Sequence, residues 1–166
     1  IAVKMLERLL AAGFEKDVSL KLINSTLSAN TEEDMYATLD IEILDLYNGN
    51  MEFIKNSACP TYIKRGRDVQ LLKSMTLPTG ILNDVDLVVY DFDLQDGDII
   101  VMCTDGVIDS NKEYLNKELW LKYLLEDVQV NDAQKIADII IGEAIDNDFG
   151  NQKDDMSVIV AKVSKK

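Results

Sequence analysis

A layered α+β domain with mostly antiparallel sheets is the fold class this sequence predicts, and three observations carry it. Apolar residues recur at helical spacing towards both ends of the chain, they alternate with polar ones through its middle, and glycine-centred turn signals join the alternating runs. Hairpin-connected strands flanked by helices imply antiparallel sheets, because a doubly wound parallel sheet needs a crossover helix between successive strands. The 166 residues contain no repeat and no low-complexity stretch, so they form one domain with room for a real core.

The elements follow in order. Residues 2–12 place Met5, Leu6, Leu9 and Leu10 on one helical face and Lys4, Glu7 and Arg8 opposite, with Gly13 where a helix stop belongs. A second helix starts near Asp17 as N-cap and carries Leu20, Ile23 and Leu27, which makes residues 1–30 a helical hairpin. From Ala37 the period becomes two: Leu39, Ile41 and Ile43 alternate with Asp40 and Glu42, Asn48-Gly49-Asn50 turns, and Met51-Glu52-Phe53-Ile54 returns. Arg65-Gly66-Arg67-Asp68 joins a second hairpin, and Leu77-Pro78-Thr79-Gly80 reads as loop. Val88, Tyr90, Phe92 and Leu94 alternate again, Asp96-Gly97 turns, and Ile99 to Cys103 is an unbroken apolar run, as in a strand buried on both faces. A helix over 113–126 carries Leu119, Trp120, Tyr123 and Leu124. The next has Asn131 as N-cap and Ile136, Ile140 and Ala144 inward; after a loop at 146–153, Met156 to Val163 is the closing strand.

Composition narrows the chemistry. There is no histidine, so no Ser-His-Asp or Cys-His pair, no histidine base and no mixed His/Cys zinc site can form within the chain. The formal charge is −13, and eight aspartates crowd residues 84–109, where there is no Lys or Arg, with four more in 146–155. Such a surface repels phosphate backbones, which argues against nucleic acid unless metal ions invert the local sign. Most acidic runs are solvated faces, and Asp84, Asp86, Asp91 and Asp93 are read that way. Cys59 and Cys103 are too few for a disulfide framework, and Cys103 reads as a small buried hydrophobe. A reducing, cytoplasmic setting suits them. No run of 18 apolar residues spans a membrane; the chain opens on Ile1 within an amphipathic pattern, so an anchor upstream of a longer protein stays open.

Two acidic positions differ from this background. Asp105 follows the buried strand through Thr104 and precedes Gly106; Asp154 and Asp155 immediately precede the closing strand. If those strands are antiparallel neighbours, these carboxylates share one sheet edge, and clustered carboxylates are usually neutralised by a hard divalent cation. An oxygen-only donor set suits Mg²⁺, Mn²⁺ or Ca²⁺. Neither acidic stretch satisfies the calcium-loop spacing: from Asp91 the sixth position is Asp96 and the twelfth Met102, and from Asp146 the sixth is Asn151. On spacing alone, a metal site and simple turn-capping aspartates are both open.

The ordered series Leu77-Pro78-Thr79-Gly80, Leu94-Gln95-Asp96-Gly97-Asp98-Ile99, Cys103-Thr104-Asp105-Gly106-Val107 and Lys153-Asp154-Asp155-Met156-Ser157-Val158 resembles the C-terminal motifs of the metal-dependent PPM (type 2C) Ser/Thr protein phosphatases, most of all their bacterial sporulation branch. Each motif is weak alone; four in order over most of the chain are strong. The resemblance implies an α-β-β-α sandwich of mostly antiparallel sheets flanked by helical hairpins, with residues 1–166 a single phosphatase domain. It implies Asp105 and Asp154 as metal ligands, with Gly106 and Asp155 beside the metal. Two Mn²⁺ or Mg²⁺ ions would serve the complete domain, and a metal-bound water, not a side chain, would be the nucleophile on phosphoserine or phosphothreonine.

The implied partner is a phosphorylated anti-sigma-factor antagonist; homodimerisation stays open. The family's remaining metal-binding acids belong to a strand pair and an Asp-Gly-Met-Gly-like motif expected just before Ile1, so these 166 residues alone are expected to bind metal weakly and turn over little. The leading helices resemble a regulatory element, although their apolar faces also have a plain packing reading, and no residue is assigned a regulatory role. Two alternatives remain: a non-catalytic partner-binding module of the same fold, and an acidic calcium-binding domain.

Overall fold

The structure, a computed structural model, describes residues 1–29, 37–74, 76–81, 88–148 and 154–165. Asp84, Asp86 and Lys153 lie outside them, as does most of the loop read at 146–153. The elements are α1 (Ala2–Ala11), α2 (Lys16–Ser28), β1 (Leu39–Leu44), β2 (Asn50–Asn56), β3 (Thr61–Arg65), β4 (Asp68–Leu72), β5 (Val88–Asp93), β6 (Ile99–Cys103), α3 (Asp105–Ile108), α4 (Glu118–Asp127), α5 (Ala133–Asn147) and β7 (Val158–Lys162). They fall into two units: Ile1–Ile43 with Glu52–Ala58 and Ser74–Tyr90, and Leu44–Met51 with Cys59–Lys73 and Asp91–Lys166.

In the first unit α1 stops at Gly13 for a definite reason. With φ at +85°, Gly13 sends its N–H to Leu10 O while Phe14 N–H reaches Leu9 O, both at 3.0 Å, which satisfies two terminal carbonyls. α2 buries Leu20, Ile23 and Leu27, as their spacing requires, and α1 and α2 are in contact. It begins before Asp17, however: Glu15 is the extended N-cap, and Asp17 lies in the first turn, where its charge still favours the helix dipole. Within this unit's residues the strands run in the order β1-β2-β5. The clean alternation expected of β1 fails, since Asp40 is as covered as Leu39. The cause is Lys55 on β2, fully buried, whose ammonium meets Asp40 Oδ2 at 2.5 Å. The segment read as loop at 77–80 is pinned: Thr79 bridges Ala37 and donates to Asn56 Oδ1 at 2.7 Å, and Gly80 N–H donates to Asn24 Oδ1 at 2.8 Å.

The second unit is built on an antiparallel sheet of order β4-β3-β6-β7. The β3–β4 hairpin closes over Gly66-Arg67, with Arg65 opposite Asp68 and Gly66 at φ +62°. β6 is interior, which is why its sequence is apolar without alternation. α4 packs on β3 and β4 and α5 on β7, so that Trp120, Leu121, Leu125, Ile136, Ile140 and Ala144 cover Tyr62, Ile99 and Val101.

Three further boundaries differ from the sequence reading. α4 starts at Glu118, not 113, because the Asn111 and Asn116 side chains accept the N–H groups of Glu113 and Glu118 and hold turns there instead. Its inward face is therefore Trp120, Leu121 and Leu125, and Tyr123 is exposed. α5 is capped by Asp132 rather than Asn131, with Oδ1 accepting Lys135 N–H at 2.9 Å. β7 begins at Val158, two residues after Met156.

The acidic stretch 84–109 is also less uniform than its composition. Asp91 and Asp93 are exposed, as read, but Asp98 is 1% exposed. Arg65 crosses from β3 to bind it twice, Nε to Oδ1 at 2.9 Å and Nη2 to Oδ2 at 2.6 Å, and Gln95 N–H adds a bond of 2.8 Å. Burial pushes the Asp98 carboxyl up, but these hydrogen bonds and the Arg65 charge outweigh it and hold the pKa below the usual carboxylate range. A carboxyl depressed in the folded state stabilises fully above its unfolded pKa and loses that contribution as pH falls through the folded value. Asp98→Asn should therefore cost about 1–3 kcal/mol at neutral pH and flatten the acid limb of a stability-against-pH curve; unchanged acid dependence would remove the pair from the stability account.

Candidate metal centre

The site is assembled where β6 ends and β7 begins, within the second unit. The β6–β7 pairing places Cys103 opposite Val158, so the residues just beyond Cys103 and just before Val158 share one sheet edge, as the two acidic motifs require. Thr104 leaves β6 with extended backbone (φ −80°, ψ 163°), and the chain then turns at once into the short helix α3. Val107 and Ile108 are buried in the core, and Trp120 Nε1 donates to Ile108 O at 3.1 Å, which ties α3 to α4.

Thr104 joins the two segments. It occupies an N-cap position, yet its hydroxyl caps nothing in α3. Instead Oγ1 donates to Asp155 O at 2.9 Å and accepts Ser157 N–H at 3.0 Å, while Thr104 N–H donates to Ser157 O at 3.1 Å. The backbone of 155–157 is engaged by this side chain, which is why regular strand pairing begins only at Val158. Gly106 completes the seat: a Cβ there would lie 2.5 Å from Asp155 O and 3.3 Å from Asp154 Cβ. The close approach of the Asp154-Asp155 backbone thus requires a glycine at this position.

Asp105 and Asp154 have parallel surroundings. Each is exposed, and each uses Oδ1 to accept the N–H of the following residue, Gly106 at 3.0 Å and Asp155 at 2.9 Å. Among the described residues the second oxygen of each accepts no hydrogen bond and neither carboxylate has an ion pair. Other acids nearby are engaged: Asp109 with Lys117 at 2.8 Å and Asp148 with Lys112 at 3.3 Å. The structure brings Asp154 beside Gly106, the neighbour of Asp105 in the chain, whereas Asp155 contributes its backbone carbonyl to Thr104. The donor set fits a hard divalent cation in kind: anionic oxygens, each oriented by a backbone N–H, on a water-facing edge. It is incomplete in number, since no group of three potential ligands occurs among the described residues.

Thr104 was visible in the sequence only as part of a motif; its role could have been suspected from a hydroxyl placed where a strand hands over to a helix. Thr104→Val should cost about 1–2 kcal/mol and weaken Mn²⁺ binding, while Thr104→Ser restores both. Thermal unfolding and Mn²⁺ titration of the two variants measure this; a valine variant with native metal affinity would leave Thr104 a purely structural residue.

Among known proteins, the family described as Stage II sporulation protein E (SpoIIE) matches residues 1–164. The chain is 37% identical over 161 residues to stage II sporulation protein E of Bacillus subtilis (strain 168), covering 97% of this chain and 20% of that protein, so it spans about a fifth of that relative. The structure of the PP2C phosphatase domain and a fragment of the regulatory domain of the cell fate determinant SpoIIE from Bacillus subtilis matches with a TM-score of 0.88 at 36% identity, over 98% of this chain and 48% of that one. The phosphatase domain of the same protein, presoaked with Mn, matches with a TM-score of 0.76 at 34% identity, over 99% of this chain and 74% of that one.

Proposed function

Because the chain belongs to the Stage II sporulation protein E family, we propose that it is part of a divalent-metal-dependent protein Ser/Thr phosphatase whose substrate is a phosphorylated anti-sigma-factor antagonist acting in sporulation. What supports this reading is the placement of Asp105 just beyond β6 and of Asp154 just before β7, at one sheet edge, each with a carboxylate oxygen that accepts no hydrogen bond among the described residues. In this role the two carboxylates would hold Mn²⁺ or Mg²⁺, which when bound would supply an activated water and neutralise phosphoryl charge. Thr104 and Gly106 position the ligands by fixing the Asp154-Asp155 backbone against α3. Asp155 would lie beside the bound metal, its main-chain carbonyl held by Thr104. Two carboxylates are fewer oxygen donors than a stable site of this kind uses, so these residues alone bind metal weakly.

A second reading, a partner-binding or regulatory module, is favoured by the leading helices, where Val3, Phe14, Val18 and Leu22 are exposed. One experiment separates them: phosphate release from the phosphorylated antagonist by the complete protein, with Mn²⁺ and with EDTA. Release that requires Mn²⁺ is expected. No release with saturating Mn²⁺ favours the module, and release from unrelated phosphoproteins at equal rate removes the substrate assignment. No helix among the described residues is long and apolar enough to cross a membrane.

A further inference from the structure

At the other end of β6 from Asp105, three loops of the second unit enclose a pocket of about 270 Å³. They are the Gly66-Arg67 turn, the turn at Gly97 and the 128–131 connection between α4 and α5. Its distance from the metal centre is roughly the length of the strand, about 15–20 Å. Lys64 lines it, only 5% exposed, and its ammonium donates to Leu125 O at 2.7 Å. That bond uses one of three donors, and it is the ammonium's only hydrogen bond among the described residues. Arg67 has no ion pair among them. The N–H groups of Gln129, Val130 and Asn131 donate to no backbone acceptor there. Gly66 and Gly97 leave space, since a Cβ at either would meet nothing within 4 Å.

A buried ammonium and a guanidinium without an ion pair, lining one pocket, are out of character for a chain of charge −13. We propose that this pocket binds a small phosphate-class oxyanion, either inorganic phosphate or the phosphoryl group of a small phosphomonoester. A guanidinium and a buried ammonium with spare donors match the several acceptor oxygens of a phosphate better than the two of a carboxylate. The volume corresponds to about nine waters at roughly 30 Å³ each, enough for a phosphate carrying a short substituent. Burial and, after it, the Arg67 charge lower the Lys64 pKa, with Glu126 and Asp127 acting oppositely; an anion between the two cations relieves both penalties.

The test is equilibrium dialysis of the full-length protein against radiolabelled inorganic phosphate in EDTA, which removes the metal centre as a competing site. One saturable site per chain is expected, weakened about tenfold or more by Arg67→Ala and by Lys64→Met and unaffected by Asp105→Asn. Arg67 is exposed, so its variant tests the pocket without risk to the fold. Displacement by glycerol 2-phosphate at lower concentration than unlabelled phosphate identifies a phosphomonoester site, and the reverse order a free phosphate site. Absence of saturable binding, full binding by Arg67→Ala, loss in Asp105→Asn, or equal displacement by acetate each overturns the proposal.

Discussion

Asp105→Asn and Asp154→Asn, each made in the complete protein, are expected to lower Mn²⁺-dependent turnover by about 100-fold or more while leaving the fold intact. The two halves of that expectation have separate causes. Asparagine keeps an Oδ1 that can still accept the following N–H, as Asp105 does from Gly106 and Asp154 from Asp155, so the local backbone keeps its support. What is lost is the negative charge and one anionic donor, which a hard cation needs and an amide replaces poorly. Relief of repulsion between neighbouring carboxylates even favours a slightly higher melting temperature in metal-free buffer. Phosphopeptide turnover, Mn²⁺ calorimetry and thermal unfolding measure the three quantities; native turnover in either variant refutes the ligand assignment, and unfolding of both would make the aspartates structural.

Gly106→Ala should be the most damaging single methyl group in the second unit. Its Cβ would sit 2.5 Å from Asp155 O, a backbone atom that Thr104 also holds and that therefore cannot swing aside. Overpacking of this kind costs about 1–3 kcal/mol, and the displacement it forces falls on the Asp154-Asp155 backbone, so metal affinity and turnover should fall together with stability. Gly142→Ala is the control. That glycine lies exposed within α5, where an added Cβ meets nothing within 4 Å, and alanine there should raise stability by about 0.5–1 kcal/mol. Equal effects of the two substitutions would mean that the seat around Asp155 O is looser than its distances.

What could be read from the sequence was whatever depends on near neighbours. The Gly13 stop, the Gly66-Arg67 hairpin, the alternation in β5 and the buried run of β6 are local patterns, and each is where it was expected. The placement of Asp105 and Asp154 at one sheet edge was legible for a related reason: each adjoins a strand strong enough to identify, and only the pairing of those strands had to be supplied. Most of the failures are long-range. Nothing near Asp40 announces that Lys55 will bury its ammonium against it, and nothing in the stretch 84–109, which has no basic residue, shows that Arg65 will arrive at Asp98 from another strand. Thr104 escaped because a hydroxyl before a helix ordinarily caps that helix, whereas this one turns to a segment distant in the chain. The α4 start was misplaced by competition from two asparagines, a weak local effect that helical periodicity does not register.

The Thr104 to Asp155 bond joins residues 51 positions apart. Between them the chain must form α3, α4 and α5, so the edge that carries both aspartates closes only when the last strand docks beside β6. Closing so long a loop costs entropy before any contact repays it. A chain with its helices formed and β7 still undocked would possess both carboxylates and have no site. On the function proposed above, metal uptake would therefore mark the end of folding as well as a chemical event, and a half-made domain would be silent by construction.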